Sequence, residues 1–326
     1  MAETRFLHET WFLDLLYMQV SQPVTATATV QRVGWWSRHQ RKAAPYIFVA
    51  PFFVLFAAFS LFPIVYSLYI SFFNATGLGN WKFIGLQNYA SLLADPRFWQ
   101  SVKVTTLYAL GSVFILTPLA FLIALAFHAS ATRHLVSFYR AAYFIPSITS
   151  AVVVSLMFVM IFDQDYGLLN AVLRPLGFPN IPWIRSADWA LFSIMLLGIW
   201  IWTGVNALYF LAGLQNLPGE VLEAAQIDGA NRRQAFLHVT LPMLRPVVLF
   251  VVSQAIIGSY SLFAQPWLLT KGGPEDATLT MTMYLYINGF SYFKLGYASA
   301  IGYALVLVVG VLSFVNFRLF GMFRED

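Results

Sequence analysis

Six windows of this chain contain no Asp, Glu, Lys or Arg, and each exceeds the roughly 20 residues that a helix needs to cross a bilayer. The chain is 59% hydrophobic and 10% charged, whereas soluble domains are roughly 25% charged. Because a lipid-exposed segment must satisfy its own backbone hydrogen bonds, these windows are expected to be helical. The sequence therefore predicts an all-α membrane protein with six transmembrane helices, centred near residues 45–72, 103–127, 141–162, 190–212, 244–264 and 296–318.

The distribution of basic residues predicts the orientation of these spans. An even number of spans places both termini on one side of the membrane, and that side carries 12 of the 19 Lys and Arg residues. Several of them lie in short flanks of the spans: Arg38, Arg41, Lys42, Arg133 and Arg140. We therefore expect cytoplasmic termini and a cytoplasmic loop between the fourth and fifth spans. The net charge of +5 then reflects topology, and nothing indicates nucleic acid as a partner.

Residues 1–44 precede the first span and are expected to form an N-terminal cytoplasmic or interfacial segment. Their apolar residues are interrupted by Glu9 and Asp14, and the run is too short to cross a bilayer. A helix lying at the membrane interface is one interpretation. A mobile tail, or residues upstream of the physiological start, is the other.

Catalytic and metal sites are not expected in this chain. It contains no cysteine, so a disulfide framework, a thiol nucleophile and a thiolate metal site are excluded. Its five histidines are scattered without the spacing of metal ligands. The sequence motifs HExxH and GxSxG are also absent.

The polar loop 216–242 carries the signals of two short helices. Asn216 is predicted to cap the first helix. Gly229 is predicted to end it, since glycine readily adopts the left-handed conformation. Asn231 is then predicted to cap a second helix, and Pro242 marks the entry into the fifth span.

The segment from Glu223 to Pro242 reads EAAQIDGANRRQAFLHVTLP. It resembles the EAA loop of ABC importer permeases, the segment that docks on the ATPase subunit. The resemblance implies a cytoplasmic coupling helix and assigns contact with the ATPase to Glu223, Ala224, Ala225, Asp228, Gly229, Leu241 and Pro242. In this assignment, Glu223 sits in the groove of the ATPase and Gly229 permits the turn.

The resemblance extends over most of the chain after residue 45. An F-x-GL-x-NY…D…FW stretch is matched by Phe83, Gly85, Leu86, Asn88, Tyr89, Asp95, Phe98 and Trp99. A T-x-GGP loop is matched by Thr270, Gly272, Gly273 and Pro274. Both stretches are similar to the carbohydrate branch, in particular to the first permease subunits of maltose, multiple-sugar and glycerol-3-phosphate systems. This implies a type I importer fold over 45–326, with a core of about 102–317.

The resemblance also implies the assembly and the way it is driven. A second homologous permease subunit encloses the path, two copies of an ABC ATPase bind ATP and magnesium, and an extracytoplasmic binding protein delivers the solute. The location is the cytoplasmic membrane of a bacterium or archaeon. The chain has no G-x-x-x-x-G-K-[ST] motif, so we expect it to be a permease subunit that binds no cofactor and does not itself hydrolyse ATP.

Polar and aromatic residues within two spans are candidates for the substrate path, because sugars are bound by amides, hydroxyls and aromatic faces. The candidates are Trp202 and Asn206 in the fourth span, and Gln254, Ser259, Tyr260 and Gln265 in or near the fifth. The alternative is ordinary packing, since such side chains also form hydrogen bonds between membrane helices.

Two other functional classes remain open at this point. An ion-coupled secondary transporter usually holds ionisable residues within the membrane, which the six uncharged windows disfavour. A non-transporting membrane scaffold is not excluded by composition. The sequence does not distinguish between a sugar, a polyol and a glycerol phosphodiester as the cargo, nor whether the substrate site lies in this subunit or its partner.

Overall fold

The computed structural model describes residues 35–77, 79, 81–129 and 142–320, with side chains from residue 43 onward. The interpretations of residues 1–34 and of Arg133 and Arg140 fall outside these ranges. The chain divides into two compact units, Met1–Phe62 and Pro63–Asp326. In the first unit, helix α1 (Trp35–Phe56) is followed by a π-helical turn at Ala57–Leu61.

In the rest of the described chain the regular elements are helices, apart from one small hairpin. Strands β1 (Phe73–Asn74) and β2 (Lys82–Phe83) pair antiparallel, with Phe73 opposite Phe83. The helices are α2 (Phe62–Ser71), α3 (Gln87–Leu93), α4 (Pro96–Gly111), α5 (Thr117–Ala129), α6 (Ala142–Ile148), α7 (Ala151–Ile161), α8 (Leu168–Leu173), α9 (Ala187–Gln215), α10 (Gly219–Ile227), α11 (Arg232–Ala235), α12 (Leu241–Met243), α13 (Arg245–Tyr260), α14 (Ala264–Leu269), α15 (Met281–Tyr286) and α16 (Leu295–Leu319). Further π-helical turns lie at Ser112–Leu116, Phe236–Thr240 and Ile287–Ser291, and a 3₁₀ turn at Arg174–Leu176.

Five long apolar helical segments and one bent pair match the six predicted spans. The continuous segments are Ala43–Ser71, Pro96–Ala129, Ala187–Gln215, Arg245–Leu269 and Leu295–Leu319. The sixth candidate is the pair α6 and α7, whose axes differ in direction by 108°. The predicted all-α membrane fold is confirmed.

The third span differs from the single helix predicted over 141–162. Ser150 has ψ of 124°, outside the helical range, and it separates α6 from α7. The hydroxyls of Ser147 and Thr149 donate to the carbonyls of Phe144 and Ile145 at 2.8 and 2.9 Å. Such side-chain bonds to the preceding turn compete with the helical ladder and favour bends.

Helix α9 is the most enclosed of the continuous spans. Within its most apolar stretch 56% of the residues are buried, against 0–39% in the other four. Phe210 and Leu211 pack with Ala120 of α5 and Val251 of α13. Because lipid is as apolar as these side chains, close packing rather than hydrophobic burial stabilises such contacts. The polar residues Ser193, Thr203 and Asn206 of α9 are buried among other helices.

The loops between the spans lie at two ends. We call the end with β1, β2 and the starts of α4, α9 and α16 the hairpin end. We call the end with residues 216–244 the loop end, because α9 leads into it and α13 leads away from it.

Candidate substrate cavity and coupling loop

A cavity of about 420 Å³ lies between the middle portions of three spans. Its walls come from the segment α4–α5, from α9, and from α13 with the residues that follow it. The lining residues are Tyr108, Ser112, Leu116, Trp202, Val205, Asn206, Tyr209, Gln254, Ala255, Ile257, Gly258, Ser259, Ser261, Leu262 and Gln265. We call this cavity the central cavity, because it lies near the midpoints of the three spans that line it. Transporter substrates commonly bind near the bilayer midplane.

The structure brings most of the predicted path residues together. The central cavity is lined by Trp202, Asn206, Gln254, Ser259 and Gln265. Tyr260 is absent from its lining and is instead buried. The Tyr260 hydroxyl lies 2.8 Å from the Thr106 Oγ1, and its carbonyl accepts a hydrogen bond from the Thr282 hydroxyl at 2.6 Å.

Three side-chain amides in the central cavity have unused hydrogen-bonding groups. Asn206 is only 8% exposed and Gln265 only 5%. Neither of these amides, nor that of Gln254, is hydrogen-bonded to any residue that the structure describes. Amide groups that face a cavity without a partner in the chain are available to a ligand, and a few such polar groups among apolar walls are typical of a ligand site. Ser259 differs, because its hydroxyl donates to the Ala255 carbonyl at 2.6 Å.

One wall of the central cavity was missed by the sequence analysis. Tyr108, Ser112 and Leu116 belong to the second span and recur at every fourth position, so they share one face of the helix. That spacing is visible in the sequence, but Tyr and Ser are also ordinary packing residues in membrane helices. The π-helical turn Ser112–Leu116 lies in this wall, and such turns occur frequently at functional sites.

Glycines of α9 allow neighbouring chain segments to approach closely beside the cavity. A Cβ on Gly204 would lie 1.8 Å from the carbonyl oxygen of Tyr143, and one on Gly198 would lie 2.2 Å from the Tyr108 hydroxyl. Between these glycines, Thr203 Oγ1 is buried without a hydrogen-bond partner among the described residues. The wall formed by Tyr108 therefore depends on Gly198.

The loop 216–242, the candidate coupling loop, folds as two helices around Gly229. At the end of α10, the amide of Ala230 donates to the Ala225 carbonyl at 2.9 Å, and that of Gly229 to the Gln226 carbonyl at 3.0 Å. With Gly229 at φ +84°, this is a Schellman motif. Asn231 then forms a reciprocal capping box with Gln234 at the start of α11. The predictions that Gly229 ends the first helix and that Asn231 caps the second are thus confirmed.

The predicted cap at Asn216 is wrong. Asn216 ends α9, where its backbone N–H donates to the Ala212 and Gly213 carbonyls. Pro218 occupies the N-cap position of α10. Asn216 has the backbone conformation of a helix end, with ψ of 0°, whereas an N-cap residue is typically extended, as Pro218 is with ψ of 123°. Pro242 lies in the first turn of α12, at the entry to the fifth span as expected.

Most of the residues predicted to contact an ATPase are accessible rather than packed into the chain. Glu223, Ala224, Asp228, Gly229 and Leu241 are exposed, and Ala225 and Pro242 are half-buried. Ile227 is 86% exposed. In the described part of the chain, Glu223 and the nearby Arg232 and Arg233 form no ion pair. This surface has apolar and charged groups that are free to contact another protein.

The loop after the third span, at the hairpin end, is held by its own polar groups. Backbone amides of Asp165 and Tyr166 donate to the Asp163 carboxylate at 3.0 and 2.9 Å, and Arg185 lies 3.3 Å from it. The two backbone hydrogen bonds, with a smaller contribution from Arg185, lower the pKa of Asp163 below its ordinary value. Among the described residues, no group of three or more His, Asp or Glu side chains is placed to hold a metal ion.

Comparison with known proteins agrees with this architecture. Residues 116–324 match the family described as "Binding-protein-dependent transport system inner membrane component". The arabinooligosaccharides transport system permease protein AraP of Bacillus subtilis (strain 168) is 38% identical over 93% of this chain and 96% of its own length. The lactose transport system permease protein LacF of Rhizobium radiobacter is 35% identical over 83% of this chain and 92% of its own.

A solved structure has the same fold. A chain of the bacterial alginate ABC transporter, in complex with its alginate pentasaccharide-bound periplasmic protein, superposes with a TM-score of 0.77 at 19% identity. The match covers 90% of this chain and 99% of that one. The fold is therefore that of an ABC importer permease.

This chain belongs to the family of inner membrane components of binding-protein-dependent transport systems. It is a permease subunit of the inner membrane. This membership favours an ABC importer subunit over an ion-coupled carrier or a non-transporting scaffold.

Proposed function

We propose that this chain forms half of the translocation path of an ATP-driven importer for a neutral sugar. The similar permeases AraP and LacF are named for arabinooligosaccharides and lactose, which are neutral oligosaccharides. The observation that carries the proposal is the central cavity, where three unpaired side-chain amides lie beside the aromatic side chains of Tyr108, Trp202 and Tyr209.

The lining of the central cavity favours an uncharged cargo. None of the described residues that line it is Asp, Glu, Lys, Arg or His. A phosphate or carboxylate group would enter this region without a partner of opposite charge, which is costly in an apolar environment. Sugar hydroxyls, in contrast, both donate to and accept from the amides of Asn206, Gln254 and Gln265.

The proposed assembly contains a second permease subunit, two copies of an ABC ATPase and an extracytoplasmic binding protein. The chain itself binds no cofactor, because ATP and magnesium are held by the ATPase copies. Both termini and the loop end face the cytoplasm. Glu223, Ala224, Ala225, Asp228 and Gly229 contact the ATPase, with Leu241 and Pro242 fixing the return to the membrane. The exposure of most of these residues supports this role.

The proposal is tested by comparing a side-chain amide that has no hydrogen-bond partner in the described chain with one that is hydrogen-bonded. Asn206 lines the central cavity, whereas Asn316 donates to Ser253 Oγ at 2.9 Å and lies outside that cavity. In the reconstituted transporter, we expect Asn206→Leu to lower the uptake of lactose or an arabinooligosaccharide about tenfold, since it removes a hydrogen-bonding group from the site. Asn316→Leu is expected to lower thermal stability instead, with the apparent KM unchanged.

Unaltered uptake by Asn206→Leu and by Trp202→Ala would remove α9 from the substrate path. Assembly with the ATPase provides the internal control, because neither substitution touches the loop end. A loss of assembly in either variant would show that the side chain acts on folding rather than on cargo.

A further inference from the structure

A second cavity of about 380 Å³ lies at the hairpin end, and it shares no lining residue with the central cavity. We call it the outer cavity. It is lined by Asn74, Ala75, Thr76, Asn88, Ser91, Asp95, Tyr284, Asn288, Lys294 and Tyr297. Nine of these ten residues have a polar or charged side chain, whereas the central cavity has largely apolar and aromatic walls. Its volume lies within the range of roughly 300–1,000 Å³ that is usual for small-molecule sites.

The walls of the outer cavity are held in place by hydrogen bonds within the chain. Tyr297 donates its hydroxyl to Asp95 Oδ2 at 2.6 Å, and Tyr284 donates to the same oxygen. Asp95 Oδ1 accepts from the backbone amide of Arg97 at 2.9 Å. On another wall, Asn88 Nδ2 donates to the backbone carbonyls of Ser71 and Phe73. The cavity is therefore preformed.

Other polar groups of the outer cavity remain available. Asn288 is 3% exposed and donates its Nδ2 to the Tyr284 carbonyl at 2.9 Å. Its Oδ1 accepts no hydrogen bond from a described residue, and the Ser91 hydroxyl likewise has no described partner. The Lys294 ammonium forms no ion pair within the described chain and lies 5.9 Å from the centre of the Tyr292 ring. An amide oxygen that has no partner within the chain is available to accept a hydrogen bond from a ligand or from water.

The available groups define the class of ligand. An amide oxygen accepts, an ammonium donates, and a hydroxyl does both, so a molecule with several hydroxyls satisfies them together. Asp95 and Lys294 have opposite charges, which disfavours a strongly anionic or cationic ligand. The predominantly polar wall disfavours an apolar one. One pyranose or furanose ring satisfies these conditions.

We propose that the outer cavity binds one neutral sugar ring of the incoming substrate, at a site separate from the central cavity. This inference rests on the proposed function, because it concerns the same cargo. The site is the first contact of the sugar with this subunit after release from the binding protein. It raises the local concentration of cargo at the outer end of the path.

A pair of neighbouring substitutions on α3 tests this site. Ser91 lines the outer cavity, whereas Ala90 is also exposed on α3 but lies outside the lining. Neither side chain makes a hydrogen bond to a described residue. Ser91→Leu inserts a branched side chain into the cavity, and Ala90→Leu adds similar bulk to the same helix. Both variants are therefore expected to fold.

Binding is measured on the assembled transporter in nanodiscs by saturation-transfer NMR, with D-galactose and L-arabinose as probes. We expect Ser91→Leu to reduce the saturation transfer to either sugar at least about fivefold when the central cavity carries Asn206→Leu. Ala90→Leu in the same background is expected to give the same saturation transfer as the Asn206→Leu variant alone. Unchanged transfer in Ser91→Leu, or tighter binding of D-galacturonate than of D-galactose, would overturn the proposal.

The outcomes for the two cavities are distinguishable. If Asn206→Leu lowers uptake but Ser91→Leu changes neither uptake nor sugar binding, the outer site is excluded and the proposed function stands. If neither substitution affects uptake or sugar binding, both proposals fail. If Ser91→Leu raises the apparent KM for uptake at least about fivefold and leaves ATPase assembly intact, the outer site contributes to transport.

Discussion

The hairpin end and the loop end of this permease use their polar residues differently. At the hairpin end, Asp95, Asn88 and Asn170 are bonded to other parts of the chain. At the loop end, helices α10 and α11 contain no buried residue, and their hydrogen bonds serve mainly to begin and end the helices. The hairpin end is thus stabilised by its own contacts. The loop end has a defined local shape and a free surface, as a docking element requires.

Two glycines provide the strongest contrast between the ends. A Cβ on Gly296, at the hairpin end, would lie 2.0 Å from the Phe73 carbonyl oxygen, whereas one on Gly229 would meet nothing within 4 Å. We expect Gly296→Ala to destabilise the protein by about 3 kcal/mol or more, because the backbone must move. Gly229→Ala is expected to cost about 1 kcal/mol through its left-handed conformation alone. Thermal unfolding of the purified subunits measures both, and equal losses would contradict the contrast.

Two asparagines test the same difference at a smaller scale. Asn170 is 1% exposed, donates to the Gln164 and Ile181 carbonyls at 2.9 Å, and accepts from the Trp183 indole at 2.9 Å. Asn170→Ala is expected to lower the free energy of unfolding by about 3 kcal/mol, because buried polar groups lose their partners. Asn216→Ala, at the exposed start of the loop end, is expected to change it by less than about 0.5 kcal/mol. A large effect at Asn216 would indicate that the loop is not locally independent.

The carboxylate at the hairpin end gives a smaller effect that depends on pH. Burial raises the pKa of Asp95, but hydrogen bonds from Tyr284, Tyr297 and two backbone amides outweigh it, so the pKa is lowered overall. A lowered pKa means that the ionised carboxylate stabilises the fold above its ordinary pKa of about 4, and that this stabilisation is lost on acidification through the lowered value.

We therefore expect Asp95→Asn to cost about 1–2 kcal/mol at pH 7, where charge-assisted hydrogen bonds are lost. The difference from the wild type is expected to shrink as the pH falls below about 4. Unfolding midpoints measured from pH 7 down to pH 3 check the sign. A constant difference across this range would show that the charge of Asp95 contributes nothing.

Local signals in the sequence predicted local structure well. Gly229 and Asn231 act within a few residues of themselves, so their roles followed from residue type and position. The six uncharged windows predicted the spans because a span depends mainly on the length and composition of its own segment. The break at Ser150 was not predicted, because its cause is a competition between side-chain and backbone hydrogen bonds within a segment that reads as one uncharged window.

Sites formed by distant segments were only partly predictable. Trp202, Asn206 and Gln254 stood out as polar or aromatic residues within apolar spans, and the structure places them around one cavity. The opposing wall at Tyr108 and Ser112 required knowledge of which helices are neighbours. The outer cavity combines residues separated by about 200 positions, and no spacing within a single helix indicates it.

The smallest effect on stability is expected where the effect on function is large. Glu223 is exposed on α10 and forms no ion pair within the described chain, so Glu223→Ala is expected to change the free energy of unfolding by less than about 0.5 kcal/mol. If Glu223 occupies the groove of the ATPase, its loss removes a contact at the centre of that interface, where single residues contribute about 2 kcal/mol or more. ATPase activity stimulated by the binding protein is then expected to fall more than about tenfold. Glu220→Ala, in the first turn of the same helix, provides the matched control. Equal ATPase activity in both variants, with normal assembly, would show that the exposed surface of α10 is not the coupling surface, and the contrast between the two ends would lose its functional meaning.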